Sequence, residues 1–291
     1  MNQRTRQLIA QALEEDLEEI GDLTSQHFVD PDHHSTGLVI PREVVVVSGL
    51  EVAEAVCRQV DANLQFTPSA KDGDLAPIGS TIAKITGLTR SILTAERTLL
   101  NFLQRLSGIA TVTSRFVDAI RGTNATLLDT RKTTPGWRSL EKAAVVHGGA
   151  SNHRIGLYDA VMVKDNHLAA NLNPVNLKER VQAFATQHPG VKIEVEADRL
   201  DQVEAFLSIE SIDVILLDNM TNEQLREAVR MRDSNASKIL LEASGGVTLE
   251  TVQAIAETGV DLISVGALTH SVRSVDLGLD LESDSSASKD E

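Results

Sequence analysis

The feature that most constrains the fold is an alternation of short apolar runs with helical patterns, which begins near Ala125 and continues toward the C-terminus. Between the runs, apolar residues recur at helical spacing, as Leu200, Val203 and Leu207 do. Such alternation is typical of parallel strands joined by crossover helices, and a long succession of these units favours a closed barrel over an open sheet. The predicted strands are residues 125–128, 160–163, 191–195, 214–217, 239–241 and 262–265.

Polar side chains follow the predicted strands, at the positions where barrels of this type carry their chemistry. Basic residues gather after the early strands and carboxylates after the middle ones, a segregation that the general polarity of loops does not explain. We therefore predict a functional site at the carboxyl ends of the strands. The segments concerned are Asp129-Thr130-Arg131-Lys132, Lys164-Asp165-Asn166, Glu194 with Glu196, Asp218-Asn219, Glu242-Ala243-Ser244-Gly245-Gly246 and Ser264-Val265-Gly266.

The net charge of −15 makes one local cluster of basic residues informative. A strongly acidic chain disfavours nucleic acid and anionic membranes as partners, because binding to polyanions needs a broad basic surface. Between Arg131 and Lys164, however, six basic residues stand against two acidic ones, which leaves a local excess of four positive charges. A chance fluctuation on a solvated face is one interpretation, but the position at strand ends favours a cavity for anionic ligands.

The N-terminal third predicts a different kind of structure. A valine run at residues 44–47 and a glycine-punctuated stretch at 71–82 predict a small β-rich scaffold, and a long helix is predicted over residues 91–120. The first 19 residues predict an amphipathic helix rather than a secretory signal, and the single cysteine, Cys57, allows no intrachain disulfide. We expect a soluble, cytoplasmic protein whose acidic tail, residues 282–291, is disordered.

Several motifs, in a fixed order along most of the chain, carry a resemblance to a known family. The chain resembles the quinolinate phosphoribosyltransferases, also called carboxylating nicotinate-nucleotide pyrophosphorylases. The motifs are Gly21-Asp22-Leu23-Thr24, Ala95-Glu96-Arg97-Thr98-Leu99-Leu100-Asn101, Leu106-Ser107-Gly108-Ile109-Ala110-Thr111, Leu128-Asp129-Thr130-Arg131-Lys132-Thr133-Thr134-Pro135-Gly136, Gly148-Gly149-Ala150-Ser151-Asn152-His153-Arg154, Lys164-Asp165-Asn166-His167, Leu217-Asp218-Asn219, Glu242-Ala243-Ser244-Gly245-Gly246-Val247 and Ser264-Val265-Gly266-Ala267-Leu268-Thr269.

The resemblance implies an α/β protein, with an N-terminal α/β sandwich over residues 1–108 and an incomplete parallel β/α barrel over residues 109–271. A C-terminal segment, residues 272–291, is expected to pack back on the N-terminal domain before the tail. The implied reaction transfers the phosphoribosyl group of phosphoribosyl pyrophosphate to quinolinate with decarboxylation, and gives nicotinate mononucleotide, CO2 and pyrophosphate for NAD biosynthesis. The implied cofactor is Mg2+, and the implied assembly is a homodimer or a hexamer built from such dimers.

The resemblance also implies a role for individual residues. Arg97 would enter the neighbouring subunit's site, while Glu196 and Asp218 would hold the ribose hydroxyls and the magnesium ion. Glu194 stays an alternative to Glu196, because strand alternation places both side chains on one face. The cations expected at quinolinate and pyrophosphate are Arg131, Lys132, His153, Arg154 and Lys164; the turns expected at the 5′-phosphate contain Ser244, Gly245, Gly246, Ser264 and Gly266. Of the whole set, Lys132, Lys164, Glu196 and Asp218 are expected to be catalytic.

The residue types suit this chemistry for physical reasons. Quinolinate carries two carboxylates and phosphoribosyl pyrophosphate carries two phosphorylated ends, so a common site needs many cations. Arginine binds such groups through paired hydrogen bonds and lysine supplies a compact charge. Glycine turns let backbone N–H groups approach a phosphate. Three other functions stay open on sequence alone: a molybdenum-transport-associated paralogue, nicotinate phosphoribosyltransferase and a non-catalytic metabolite-binding barrel.

Overall fold

The computed structural model describes residues 1–164, residue 167 and residues 174–282. The predicted disordered tail therefore lies almost wholly outside the described residues. The chain divides into two compact units. Unit 1 comprises Met1–Val112, Ser139–Gly149 and Val272–Glu291, and unit 2 comprises Thr113–Arg138 and Ala150–Ser271.

Unit 1 is built on an antiparallel sheet with the strand order β12-β1-β5-β3, and β2 pairs separately with β4. The last strand returns to the first, with Gly37 opposite Leu281 and Pro41 opposite Leu277. The valine run at 44–47 contributes only the two residues of β2. The strands are β1 (His34–Pro41), β2 (Val45–Val46), β3 (Gln65–Pro68), β4 (Leu75–Ala76), β5 (Ala83–Leu88) and β12 (Leu277–Leu281).

The helices of unit 1 form where apolar residues recur every three or four positions. In α1 the side chains of Ile9 and Leu13 are buried, and Asn2 caps the helix by accepting the N–H of Thr5. The amphipathic helix predicted for the first 19 residues is thus confirmed. The helices are α1 (Gln3–Leu17), α2 (Leu23–Phe28), α3 (Leu50–Val60), the first part of α4 (Thr89–Ala119) and most of α5 (Arg138–His147).

Unit 2 contains six parallel strands in the order β6-β11-β10-β9-β8-β7, and each strand overlaps one of the six predicted apolar runs. The first strand, β6, pairs with the last, β11, as in a barrel. Within the described residues β6 and β7 do not pair with each other, and Ser151 instead bridges to Leu128 beside β6. The incomplete barrel is therefore confirmed, and the closed barrel favoured by alternation alone is wrong. The strands are β6 (Thr126–Leu128), β7 (Ala160–Val163), β8 (Lys192–Ala197), β9 (Val214–Asp218), β10 (Leu240–Ser244) and β11 (Leu262–Ser264).

The crossover helices begin after the carboxyl ends of the strands. A capping box formed by Thr221 and Gln224 stands at the start of α8, as the spacing of these two residues in the sequence predicts. From the sequence, Thr248 is expected to cap the next helix, but this expectation is wrong, because Thr248 and Thr251 form a turn of their own and the helix begins only at Val252. The helices are α6 (Pro174–Gln187), α7 (Leu200–Leu207), α8 (Asn222–Ser234), α9 (Val252–Ala256) and α10 (Ala267–His270).

Strand register brings polar side chains together at one end of the sheet in unit 2. Asp218 at the end of β9 lies directly opposite Ser244 at the end of β10, and Ser264 lies opposite Leu128. None of the helices in the described ranges has the length and apolar character that crossing a bilayer requires.

Candidate active site

A cavity of about 290 Å³ opens at the carboxyl ends of the strands in unit 2. Its walls combine cations, carboxylates and hydroxyls with two apolar side chains. A cavity of this size, with convergent polar groups, suits a small anionic ligand. The lining residues are Thr130, Arg131, Lys132, His153, Arg154, Met162, Lys164, Glu196, Leu216, Asp218, Glu242, Ser244 and Ser264.

Four cations from separate segments converge on this cavity: Arg131, Lys132, Arg154 and Lys164. The Nε atom of Arg131 is buried and has no hydrogen-bond partner among the described residues. Burial and the nearby charge of Arg131 both lower the pKa of Arg154. Two guanidinium groups that repel each other, one with a buried unsatisfied donor, form an arrangement that an anion would stabilise.

Lys132 is fixed to the cavity wall through its backbone. Its N–H donates to the Thr130 Oγ1 atom at 3.0 Å, and its carbonyl oxygen accepts a hydrogen bond from Thr269 Oγ1 at 2.7 Å. A Cβ atom at Gly266 would lie 3.0 Å from the Cδ atom of Lys132. Gly266 therefore leaves space for the stem of the lysine, although it does not itself line the cavity.

Glu196 and Asp218 place two carboxylates in the same cavity. Glu196 Oε2 accepts a hydrogen bond from Lys164 Nζ at 2.7 Å, and Asp218 Oδ2 accepts one from Asn219 Nδ2 at the same distance. Both carboxylates are thus held in place while lining the cavity. Glu194 points to the same face of β8 as Glu196, but it lines a different cavity, which lies toward the amino ends of the strands. The geometry therefore separates the two glutamates, and Glu196 is the one at the cavity.

His153 lies at the inner end of the cavity between two buried carboxylates. Its Nε2 atom is 3.1 Å from Glu194 Oε2 and 3.5 Å from Glu242 Oε1. Burial by itself would lower the pKa of His153, but the contacts of Nε2 with Glu194 and Glu242 outweigh it, raise this pKa and favour a proton on Nε2. The other ring nitrogen, Nδ1, accepts the backbone N–H of Arg154 at 2.7 Å and therefore carries no proton. Burial and the charge of Glu242 raise the pKa of Glu194.

The Ser244-Gly245-Gly246 turn follows β10 beside the cavity. Gly245 has a φ of +99° and Gly246 a φ of +60°, so both adopt backbone conformations that favour glycine. A Cβ atom at Gly245 would collide with the Asn219 side chain, at 2.6 Å from Cγ. Both glycines are exposed, whereas only Ser244 lines the cavity itself. The turn thus presents accessible backbone next to Asp218.

Some residues named from the sequence lie elsewhere. Arg97 is an exposed residue of α4 in unit 1. Two of the six basic residues between Arg131 and Lys164 do not line the cavity: Arg138 donates to the carbonyl oxygens of Arg131 and Ile155, and Lys142 is a buried residue of unit 1. Gly245, Gly246 and Gly266 flank the cavity without lining it. Asp165 and Asn166 lie outside the described residues.

Four lining residues were not named as ligands from the sequence: Thr130, Met162, Leu216 and Glu242. Three of them stand two positions before a predicted site residue at the end of a strand or directly after it: Met162 precedes Lys164, Leu216 precedes Asp218 and Glu242 precedes Ser244. Side chains two apart in a strand point to the same face. This alternation is a sequence signal that finds all three.

Comparison with known proteins agrees with this geometry. Residues 22–107 match the quinolinate phosphoribosyl transferase N-terminal domain, and residues 109–280 match the C-terminal domain. A nicotinate-nucleotide pyrophosphorylase [carboxylating] of Mycobacterium leprae is 45% identical over 278 residues, which cover 95% of this chain and 96% of that protein. A quinolinate phosphoribosyltransferase [decarboxylating] of Nicotiana tabacum is 39% identical over 95% of this chain and 82% of its own length. The solved nicotinate-nucleotide pyrophosphorylase of Francisella tularensis superposes with a TM-score of 0.89 at 38% identity, over 97% of each chain. The chain therefore belongs to the quinolinate phosphoribosyltransferase family.

Proposed function

We propose that the cavity in unit 2 carries out the reaction for which the family is named, the transfer of a phosphoribosyl group to quinolinate with loss of CO2. The observation that carries this proposal is the convergence of Arg131, Lys132, Arg154 and Lys164 on one cavity of a chain with a net charge of −15. Two substrates rich in carboxylate and phosphate groups need such a concentration of positive charge.

The positions of the cations suggest how the substrates divide the cavity. We assign Arg131 and Arg154 to the two carboxylates of quinolinate, because guanidinium groups match planar carboxylates through paired hydrogen bonds. Lys132 and Lys164 are assigned to pyrophosphate. The hydroxyls of Ser244 and Ser264, with the exposed glycine turn after β10, are assigned to the 5′-phosphate of the ribose.

Glu196 and Asp218 fit a magnesium ion. They offer oxygen ligands only, and two carboxylates completed by water and substrate phosphate make the usual protein share of a Mg2+ site. Bound there, the ion would neutralise the leaving pyrophosphate. The same two carboxylates would lie near the ribose and stabilise positive charge that develops on it as pyrophosphate departs.

The remaining work of the protein is to bind and orient. The pyridine nitrogen attacks the anomeric carbon as the bond to pyrophosphate breaks, so both substrates must be held in line. The substituted ring nitrogen then carries a positive charge, which accepts the electron pair left when the bond to the neighbouring carboxylate breaks and CO2 leaves. A proton then replaces the lost carboxyl group at that carbon. This sequence requires no covalent nucleophile from the chain.

We further propose that the enzyme acts in the cytoplasm as a homodimer in which Arg97 completes the partner's site. The exposed position of Arg97 on α4 supports a contact outside its own subunit. The burial of the single cysteine, Cys57, accords with a reducing compartment.

The direct test supplies phosphoribosyl pyrophosphate and Mg2+ with either quinolinate or nicotinate, and measures CO2 and mononucleotide. We expect quinolinate to give both products and nicotinate to give neither. Lys132→Ala should abolish turnover, while Lys178→Ala, which removes an exposed lysine of α6, should leave it unchanged. Turnover of nicotinate in place of quinolinate, or ligand binding without product, would refute the proposal.

A further inference from the structure

Two carboxylates that the proposed reaction does not use enclose the ring of His153. Glu194 is 5% exposed and Glu242 is 1% exposed, so both are buried in unit 2. Glu194 Oε1 has no hydrogen-bond partner in the described part of the chain, and Glu242 Oε1 has there only the long contact of 3.5 Å with His153 Nε2. Buried carboxylate oxygens without donors are costly to the fold and call for an explanation.

The ring of His153 is in turn linked to the cavity through Arg154. The backbone N–H of Arg154 donates to His153 Nδ1 at 2.7 Å, and the backbone N–H of His153 donates to Asp129 Oδ1 at 2.8 Å. The Arg154 guanidinium extends from this point to the carbonyl oxygen of Ala160, at 3.0 Å from Nη1. The orientation of the imidazole therefore sets the backbone from which the Arg154 side chain reaches the cavity.

A second cavity, of about 520 Å³, adjoins the cluster on the side away from the active site. His153, Arg154 and Glu242 line both cavities, and Glu194 lines only the second. The side chain of His153 thus lies between the two cavities. Because there is space on both sides, the imidazole could rotate if Nε2 had no hydrogen bond. The hydrogen bond at Nε2 therefore holds the ring in one orientation.

A metal ion is the other candidate for the space between these groups, because one imidazole nitrogen and two carboxylate oxygens lie within 4.8 Å of one another. The second ring nitrogen argues against it. A metal-bound histidine keeps a proton on its other nitrogen and donates it. Here Nδ1 accepts the N–H of Arg154, so a metal at Nε2 would leave an imidazolate without any proton. A proton on Nε2, donated to Glu194, fits both contacts.

We propose that Glu194 and Glu242 are positioning residues for Arg154, which they hold at the quinolinate end of the cavity through the ring of His153. The proposal rests on the assignment of Arg154 to quinolinate made above. It assigns to the glutamates no contact with substrate and no proton transfer. Their effect is to fix one rotational state and one tautomer of the imidazole, with Nε2–H directed at the carboxylates.

The test compares steady-state constants for both substrates. Replacing both glutamates, as Glu194→Ala with Glu242→Ala, should raise the KM for quinolinate about tenfold, the usual cost of one lost hydrogen bond to a buried group. The kcat and the KM for phosphoribosyl pyrophosphate should stay within about twofold, because the double change leaves the phosphate end intact. The pair Glu194→Gln with Glu242→Gln keeps an oxygen acceptor for Nε2–H and should restore the KM for quinolinate to within about threefold of wild type.

The matched control is Glu204→Ala, which removes an exposed glutamate from α7 and should leave all constants unchanged. Equal loss of affinity for both substrates, or a lower melting temperature with unchanged KM values, would show a general role in folding and overturn the proposal. So would a stoichiometric transition metal in the purified wild-type protein that the double alanine variant lacks.

A spectroscopic measurement separates this inference from the proposed function. The ¹⁵N chemical shifts of His153 should show a proton on Nε2 in the wild-type protein at neutral pH and a loss of that single tautomer in the double alanine variant. If the wild-type protein does not turn over quinolinate but the tautomer is fixed as described, the proposed function fails, while the positioning of His153 by the two glutamates is upheld. If turnover is normal but the proton is on Nδ1, only the proposed role of the two glutamates fails.

Discussion

The close contact between Gly245 and Asn219 gives a prediction whose size follows from the structure. Gly245→Ala places a methyl group at a backbone φ of +99°, at a cost of about 1–2 kcal/mol for an L-residue in the left-handed region. The same methyl group would lie 2.6 Å from Asn219 Cγ and 3.0 Å from the Asn219 backbone nitrogen, which adds about 1–3 kcal/mol of steric repulsion. The free energy of unfolding should therefore fall by about 3 kcal/mol in total.

Gly246→Ala is the matched control, because Gly246 lies in the same turn but has open space where the new Cβ atom would stand. Its φ of +60° is also left-handed, but a Cβ atom there meets nothing within 4 Å. We expect a loss of only about 1 kcal/mol. Denaturant titration of both variants beside the wild-type protein measures the two losses. The KM for phosphoribosyl pyrophosphate should rise further in Gly245→Ala, since the clash displaces Asn219 and, through it, the Asp218 carboxylate.

A double-mutant cycle identifies the source of the difference. Asn219→Gly removes the side chain that the new methyl group meets and is compatible with the φ of +54° at that position. In the Asn219→Gly background, Gly245→Ala should therefore cost about 1–2 kcal/mol less than in the wild-type background. Equal losses for Gly245→Ala and Gly246→Ala, or no coupling with Asn219→Gly, would refute the steric reasoning.

Two further predictions concern the subunits and the two glutamates of β8. Arg97→Ala and Lys132→Ala should each be nearly inactive, and mixed, re-dimerised subunits should regain part of the activity; no recovery despite confirmed dimers would contradict a shared site. Glu196→Gln should lower kcat by about 10–100-fold through lost charge stabilisation, whereas Glu194→Gln should retain kcat, and initial rates that rank the two in the opposite order would reverse the assignment.

The sequence predicts the strands of unit 2 well because each strand is a short apolar run bounded by polar residues. The run at 214–217 matches β9 to within one residue, because the first four residues of this central strand are buried and the polar Asp218 follows them. The same signal says nothing about closure of the sheet. Whether β7 pairs with β6 depends on Ser151, whose backbone occupies a position beside β6, and no pattern of hydropathy marks that residue.

Residues at the site were predictable where a motif or a strand end marked them. Arg131, Lys132 and Lys164 follow strands directly, so the barrel pattern alone points to them. The choice between Glu194 and Glu196 was not predictable, because alternation places both on one face and only depth along the strand separates them. Glu196, nearer the carboxyl end, reaches the cavity, while Glu194 stops at the ring of His153.

The distribution of charge within the cavity explains how one small space can serve two opposite electrostatic needs. The carboxylates of quinolinate and the phosphate groups of phosphoribosyl pyrophosphate require cations, whereas positive charge that develops on the ribose requires carboxylate side chains. Arg131 and Arg154 lie close enough to repel each other, and Lys164 is drawn to Glu196 at 2.7 Å. Opposite charges are thus adjacent at the ends of β7 and β8, while like charges are adjacent near β6. Because the strands of a parallel sheet fix these positions in the backbone, the separation persists without ligand, and a substrate gains electrostatic energy without first rearranging the site.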